Sequence, residues 1–488
     1  MRASIRTASA GVLCVLALAA CASGSTSGSG ASGSSSAGSP PVPSSGAVTS
    51  SGSVTTSGAG SPSGAGPAGT DPAPGDWPTY HRTNDRSGAV PGVPAPRRLT
   101  SAWSAQLDGA VYGQPLVLGD LVVVATEHDS VYGLALATGS VRWHVSVGTP
   151  APLSQLPCGN IDPLGITGTP AYDASTGSVF AVAELDGGHH DLVALDARSG
   201  AVRWRRTLDV TNRNYRAEQQ RGALAVAGGR VYVPFGGLAG DCSNYVGYVT
   251  GTPVSGSGDT VRYEVPTARE GGMWAPSGVA IDAGGDVWAA VGNGASTGVP
   301  YDGSDSVLRL APDLGRRLDF FAPTNWGSEN AEDADLGSTG PLLLDRGRVL
   351  ISGKTGDVYL LAADRLGGIG GQMADVGGCS GFGGMAWDAA QQAAFVPCTN
   401  GLLRVDVGER SLTAGWRAEA RITGSPVVGG GAVFSLDPSG TAVALDERSG
   451  APLASAPVGP TSRFASPVLS GSRVLVPTLS GVVALTIG

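Results

Sequence analysis

The side chains of this protein with the widest chemical reach are few and unevenly placed. Lys354 is the only lysine of the chain. Once Cys14 and Cys21 of the apolar N-terminus are set aside, four cysteines remain: Cys158, Cys242, Cys379 and Cys398. Four thiols either pair as disulfides, in one of three ways, or share a soft metal such as zinc, and no CxxC spacing favours the metal. His189 and His190 stand side by side after two glycines. Adjacent imidazoles are metal ligands in principle, but a Gly-Gly-His-His run reads first as a solvated loop tip. Trp274, Asn293 and Asp335 are set singly in GGMWAPSG, AVGNGAS and AEDADLGSTGP. Around Asp335, the residues Glu329, Glu332 and Asp333 make an acidic run that, taken alone, is a solvated loop. Whether these residues meet depends on the elements that carry them.

Those elements are strands. From Ser425 to Gly459 the chain reads SPVVGGGAVFSLDPSGTAVALDERSGAPLASAPVG, four short runs of Val, Ala and Leu separated by GGG, DPSG and DERSG. This predicts a four-stranded antiparallel meander. In the turn Asp446 to Gly450, the Asp side chain caps its own backbone and the glycine takes the left-handed conformation that a Cβ would penalise. The third strand, its turn and the fourth strand recur from Val131 to Val145, Leu192 to Leu208 and Val307 to Phe321, with weaker copies between them. One such sheet cannot bury both faces, but repeated every ~40 to 60 residues around a ring it makes a β-propeller. The chain ends on GVVALTIG, a third strand without a fourth, while Leu99 to Leu107 is a fourth strand without predecessors, its Trp103 matching Trp143 and Trp204. The two ends are therefore expected to complete one blade. The expected fold is all-β, an eight-bladed β-propeller of four-stranded antiparallel blades, the last closed by the N-terminal strand with no free sheet edge.

In such a ring, the loops leading into first strands and those joining second to third strands emerge on one face. The turns of the other face are short here: LGDL, DAGGD, DRGR, ATGS, ARSG and ERSG. Cys158, Trp274, Asp335 and Cys379 precede first strands, and His189, His190, Cys242, Asn293, Lys354 and Cys398 lie between second and third strands. The unusual residues thus fall on the long-loop face, where binding usually resides. The same topology favours Cys379–Cys398 at neighbouring strand ends of one blade and Cys158–Cys242 across adjacent blades.

Residues 1–20 carry Arg2 and Arg6 before the apolar run AGVLCVLALAA, which predicts an export signal. It ends in Leu18-Ala-Ala-Cys21, which resembles the lipobox of bacterial lipoproteins and implies a lipidated Cys21. From Ala22 to Gly75 nearly every residue is Gly, Ser, Ala, Thr, Pro or Val, with Asp71 the only charge. Residues 21–75 are thus expected to be a disordered tether with an end-to-end distance on the order of 40 Å, and residues 76–488 the propeller. Without Arg2 and Arg6, 29 basic residues face 40 acidic ones, a net charge near −11. No basic run is present, so nucleic acid is excluded as the expected partner. The expected location is the extracytoplasmic face of a bacterial membrane, with the protein held there as a monomer by its lipid.

The Asp-x-x-(Ser/Thr)-Gly turn and the motif Asp76-Trp-Pro-Thr-Tyr-His81…Arg86-Ser-Gly88 resemble those of the pyrroloquinoline quinone (PQQ)-like repeat proteins, the eight-bladed quinoprotein dehydrogenase superfamily. The resemblance implies roles for particular residues. Trp274 is similar to the tryptophan on which the cofactor ring stacks, and Lys354 to the base that holds the quinone oxygens. Asn293 and Asp241 fall where the family has calcium ligands, and Asp335 where it has the catalytic carboxylate. Calcium takes carboxylate and amide oxygens, and an Asp base would remove the alcohol proton. The chain departs from the catalytic pattern as well. No two cysteines are adjacent to roof the cofactor, the motif around Asp335 lacks its tryptophans, and no CxxCH haem motif occurs. The expected function is accordingly a lipid-anchored propeller binding a ligand or protein partner at its long-loop face without catalysis. The alternative is a calcium- and PQQ-dependent alcohol or sugar dehydrogenase.

Overall fold

The computed structural model describes residues 71–488. The export signal, Cys21 and the tether up to residue 70 lie outside the described residues. The rest folds into eight sheets in ring order. Blades 1 to 7 occupy residues 116–146, 171–207, 225–264, 280–322, 342–376, 386–417 and 427–457. Blade 8 combines Val468–Ser470, Arg473–Thr478 and Gly481–Ile487 with Leu99–Gln106 as its fourth strand, paired antiparallel from Leu99↔Ile487 to Gln106↔Gly481. The ring closes as its sequence patterning required.

Inner strands are sandwiched between neighbouring blades, so they are apolar on both faces: every residue of Leu121–Ala125 is buried. The outer strand Val202–Thr207 has no buried residue and alternates exposed with half-buried positions. Side chains of blades 1, 7 and 8, among them Val122, Phe434 and Leu475, share one core cluster, which shows that the hydrophobic gain lies between blades rather than within them.

The tryptophans of the fourth strands add a latch. A bulge after Gly133↔Trp143 skips Arg142, and one after Ala194↔Trp204 skips Arg203, turning each indole toward the next blade. There it lies on the turn glycine. A Cβ at Gly139, Gly200, Gly256 or Gly450 would come within 2.4, 2.5, 2.6 and 2.6 Å of Trp103, Trp143, Trp204 and Trp416 respectively. Those glycines are fixed twice, by a left-handed φ near +70° and by an indole where a side chain would be.

One end of the axis is closed by the segment 76–90. It bonds the first strand of every blade in turn: Trp77 N–H to Val117 O and its indole N–H to Leu469 O, Tyr172 N–H to Pro78 O, Asn84 Nδ2 to Val226 O, Ile281 N–H to Asn84 O, Leu343 N–H to Asp85 O, Trp387 N–H to Ser87 O and Val428 N–H to Gly88 O. Arg86, 2% exposed, donates to the carbonyls of Val279, Tyr80 and Leu224 and to Thr79 Oγ1. His81 is held neutral, burial lowering its pKa to about 3.

Three features depart from the simple repeat. A short helix, Trp326–Glu332, precedes blade 5, so Glu329 and Glu332 lie on a helix rather than in an acidic loop. Blades 3 and 4 gain the extra strands Glu218–Gln219 and Gly368–Ile369, the latter parallel to Phe321–Ala322. His189 and His190 are not a solvated loop tip. They open the strand His189–Asp196 opposite Leu185 and Glu184, because the two glycines before them make the hairpin turn. His190 is buried, its Nδ1 3.2 Å from Asp209, while exposed His189 bonds Asp209 at 2.7 Å and stacks on Tyr215.

Candidate functional site

Four residues from blades 4 and 5 converge on the long-loop face. Lys354 follows the second strand of blade 5, Arg348–Ser352, and its backbone N–H donates to Asp335 O at 2.9 Å. Asp335 lies between the helix and the first strand of blade 5, just after Asp333, which ends the helix with a left-handed φ of 53°. Lys354 Nζ lies 2.7 Å from Asp335 Oδ2 and 2.5 Å from Asp333 Oδ1. Asn293 Nδ2 donates to the same Asp333 oxygen at 2.7 Å, and Lys354 Nζ stands 5.5 Å from the centre of the Trp274 ring. Gly292 lets these groups meet: a Cβ there would lie 3.1 Å from Trp274 Nε1 and 3.3 Å from Asp335 Oδ1. Asp241, on an exposed turn, accepts from Tyr245 Oη at 2.5 Å through Oδ1, and its charge contributes to raising Asp335.

The electrostatics around Asp335 are those of acids, Asp335 buried and Asp333 exposed, in contact with one ammonium group. Burial pushes Asp335 up to about 6, against the pull of Lys354. Lys354 is itself raised: burial would lower it, but Asp335 and Asp333 outweigh that. Two further carboxyls lie beneath. Asp305, fully buried, receives the Leu336 N–H at 3.1 Å and is pushed up to about 9 by burial, Asp335 and Glu329. Glu329 is pushed up to about 7, chiefly by burial. Asn293 Oδ1, Asp335 Oδ1, Asp305 Oδ2 and both Glu329 oxygens are buried acceptors without a donor among the described residues.

Unpaired buried oxygens of this kind suit a hard cation and a proton. Asn293 Oδ1 is a donor that a cation such as calcium would use, and Asp335 Oδ1 is a base with no competing donor among the described residues. Among the described residues no three Asp, Glu, His or Cys side chains stand ready around one metal, so a cation here depends on the Asn293 amide. The half-buried Trp274 ring offers a stacking face, with Phe382 and Phe464 at 6.3 and 6.5 Å. An aromatic face beside unpaired oxygens is a donor set that suits a planar ligand bearing carbonyl groups next to a cation. A cavity of about 580 Å³ lies apart from it, lined by Arg82, Asp85, Tyr172 and Asp282 around the axial segment; it shares none of these donors.

The cysteines pair as Cys158–Cys242 and Cys379–Cys398, with Cα–Cα distances of 6.2 and 5.0 Å. The first pins the Asp241 turn and the second the loop bearing Phe382. Asp305, Phe382 and Phe464 were not apparent from the sequence, and Glu329, expected in a solvated acidic loop, is instead buried. The two phenylalanines had a signal: like Trp274, each is the large aromatic residue a few positions before a first strand.

In fold, the eight four-stranded blades are similar to the β-propellers of the quinoprotein alcohol dehydrogenases, and part of the repeat matches a PQQ-like family. In particular, residues 100–234 match the family described as outer membrane protein assembly factor BamB. The chain is 28% identical over 247 residues to polyvinylalcohol dehydrogenase of Sphingopyxis sp. (strain 113P3), a match covering 45% of this chain and 34% of that protein. The matched stretch is thus about a third of the relative's length. Among solved structures, quinohemoprotein alcohol dehydrogenase from Pseudomonas putida HK5 superposes with a TM-score of 0.68 at 17% identity, over 85% of this chain and 80% of that one. BamB from Moraxella catarrhalis gives 0.57 at 20% identity, over 80% and 100%. These structural likenesses establish the fold alone.

Proposed function

We propose that the funnel bounded by Trp274, Asn293, Asp335 and Lys354 binds a quinone of the PQQ class beside a hard divalent cation and oxidises alcohol groups. The observation that carries this reading is the pair of unpartnered buried oxygens, Asn293 Oδ1 and Asp335 Oδ1, the latter meeting the Trp274 indole beside Gly292. When bound, a quinone polarised by the cation supplies the hydride acceptor. The chain's own residues do the rest. Trp274 stacks on the planar ring, and Asn293 and Asp241 hold the cation. Asp335 accepts the hydroxyl proton at Oδ1, while Lys354 fixes its other oxygen and balances its charge. Asp335 must be ionised for this, and the Lys354 ammonium beside it favours that form against burial. The named relative supports an alcohol as substrate, including the secondary alcohols of a polymer.

The test is to load the purified domain with PQQ and Ca²⁺ and to follow dye-linked oxidation of secondary alcohols. Asp335→Asn is expected to keep saturable PQQ binding and to lose turnover by ~10²-fold or more. No saturable binding at high micromolar PQQ would refute the proposal. A second reading, a propeller that binds a ligand or partner at this face without turnover, is supported by the BamB-type match over residues 100–234, which lie outside the site.

We extend the proposal to location, with Cys21 as the lipid attachment at the extracytoplasmic face. Two disulfides suit an oxidising compartment, and no helix of the described residues is long and apolar enough to cross a membrane. Cys21→Ala is expected to abolish lipid labelling and release the protein from the membrane fraction; retention after a salt wash would contradict the assignment.

A further inference from the structure

Beside Trp274, two other rings converge on the funnel from loops leading into first strands: Phe382 before blade 6 and Phe464 before blade 8. The three centroids form a nearly equilateral triangle, with Trp274–Phe382 at 6.3 Å, Trp274–Phe464 at 6.5 Å and Phe382–Phe464 at 6.5 Å. Two guanidinium groups lie on this cluster. Arg463 stands 4.1 Å from the Phe382 centroid and 5.3 Å from that of Phe464, and Arg221 stands 4.5 Å from Phe464. Neither makes a hydrogen bond or ion pair among the described residues. Burial lowers the pKa of both; the carboxyls nearest Arg221 in effect are Glu127 and Glu184, and none acts on Arg463. Elsewhere on the molecule, arginines such as Arg142, Arg309 and Arg404 are paired with acids.

A slot for a planar ring between two aromatic walls needs ~7 Å, two layers at van der Waals contact. Trp274 and Phe382 are within an ångström of that separation but inclined by 54°. Phe382 and Phe464 are half-buried, so each ring keeps part of its surface open to a ligand. We infer that Phe382 and Phe464 form the second wall of the slot opposite Trp274, and that Arg221 and Arg463 select a planar ligand bearing several carboxylates. This rests on the reading of the site given above and adds to it a charge requirement: a neutral quinone of the same shape is not retained. The wall occupies the role left open by the lack of adjacent cysteines, and it comes from the loops leading into blades 6 and 8, while Asn293 and Lys354 belong to blades 4 and 5.

The experiment compares binding of PQQ and of its trimethyl ester, with Ca²⁺ present, by quenching of tryptophan fluorescence, with melting temperatures recorded for each variant. Wild type is expected to bind the triacid about tenfold or more tightly than the ester. Arg463→Gln and Arg221→Gln should each weaken triacid binding about tenfold and leave ester binding unchanged. Phe382→Ala should weaken both ligands. Equal binding of acid and ester, unaffected by the arginine variants but lost in Trp274→Ala, would overturn the charge selection, and unchanged binding in Phe382→Ala would overturn the wall, each leaving the quinone site standing. No binding of PQQ by wild type would overturn both.

Discussion

Carboxyl groups buried without enough cations are the dominant residue-level feature of this molecule. Burial, the largest cause in each case, raises Glu127, Glu329 and Glu447 to about 7, Asp129 and Glu218 to about 8, and Asp305 to about 9. Each folded-state pKa stands above its unfolded value, so the native state holds more protons. That stabilisation is full below pH ~4, the unfolded carboxyl range, and is lost as pH rises through 7 to 9. The melting temperature is therefore expected to fall steadily between pH 6 and pH 9, and Asp305→Asn, which keeps an acceptor for the Leu336 N–H, should flatten the decline. A melting temperature that rises over this range would contradict the assignment. Lys354 was legible as the one lysine of the chain, and Trp274, Asn293 and Asp335 through the loop motifs that resemble those of the PQQ-like repeat proteins. Asp305 and Glu329 were not, because an acid in GSDS or in an acidic run looks like a turn former; only burial distinguishes them.

At the scale of elements, the repeat was legible because its turn chemistry and strand lengths are local. The Asp-x-x-Ser-Gly turns form as expected, Asp446 Oδ1 accepting the Arg448 and Ser449 N–H groups and Gly450 taking a φ of 71°. What local sequence does not state is that the turn glycine of one blade seats the tryptophan of the previous one, since the partners are tens of residues apart. Two glycines separate the effects. Gly119 has a φ of 63° and nothing within 4 Å of its missing Cβ, whereas Gly200 has a φ of 72° and the Trp143 ring at 2.5 Å. Gly119→Ala should cost about 1 kcal/mol of stability from backbone strain alone. Gly200→Ala adds overlap with an indole and should cost about 2–4 kcal/mol. Equal losses in denaturant unfolding would show that the latch does not hold the blades.

As a whole, the molecule is a ring sealed at one end of its axis and furnished with chemistry at the other. Closure by Leu99–Gln106 was legible from the two incomplete ends of the repeat. The axial seal was not: Asp76 to Gly88 is irregular and bonds eight strands distant in sequence, so no local periodicity announces it. The rigid ring brings lead-in and crossing loops from different blades to one point, and the central claim is that a cation rests there, beside Trp274 and on Asn293. Tb³⁺ takes the same oxygen ligands as Ca²⁺ and emits when a nearby excited indole transfers energy to it. Titrating the domain with Tb³⁺ under tryptophan excitation should give saturable emission that Ca²⁺ displaces, lost in Trp274→Phe and in Asn293→Ala. Emission that is absent, or unchanged in both variants, would contradict the account.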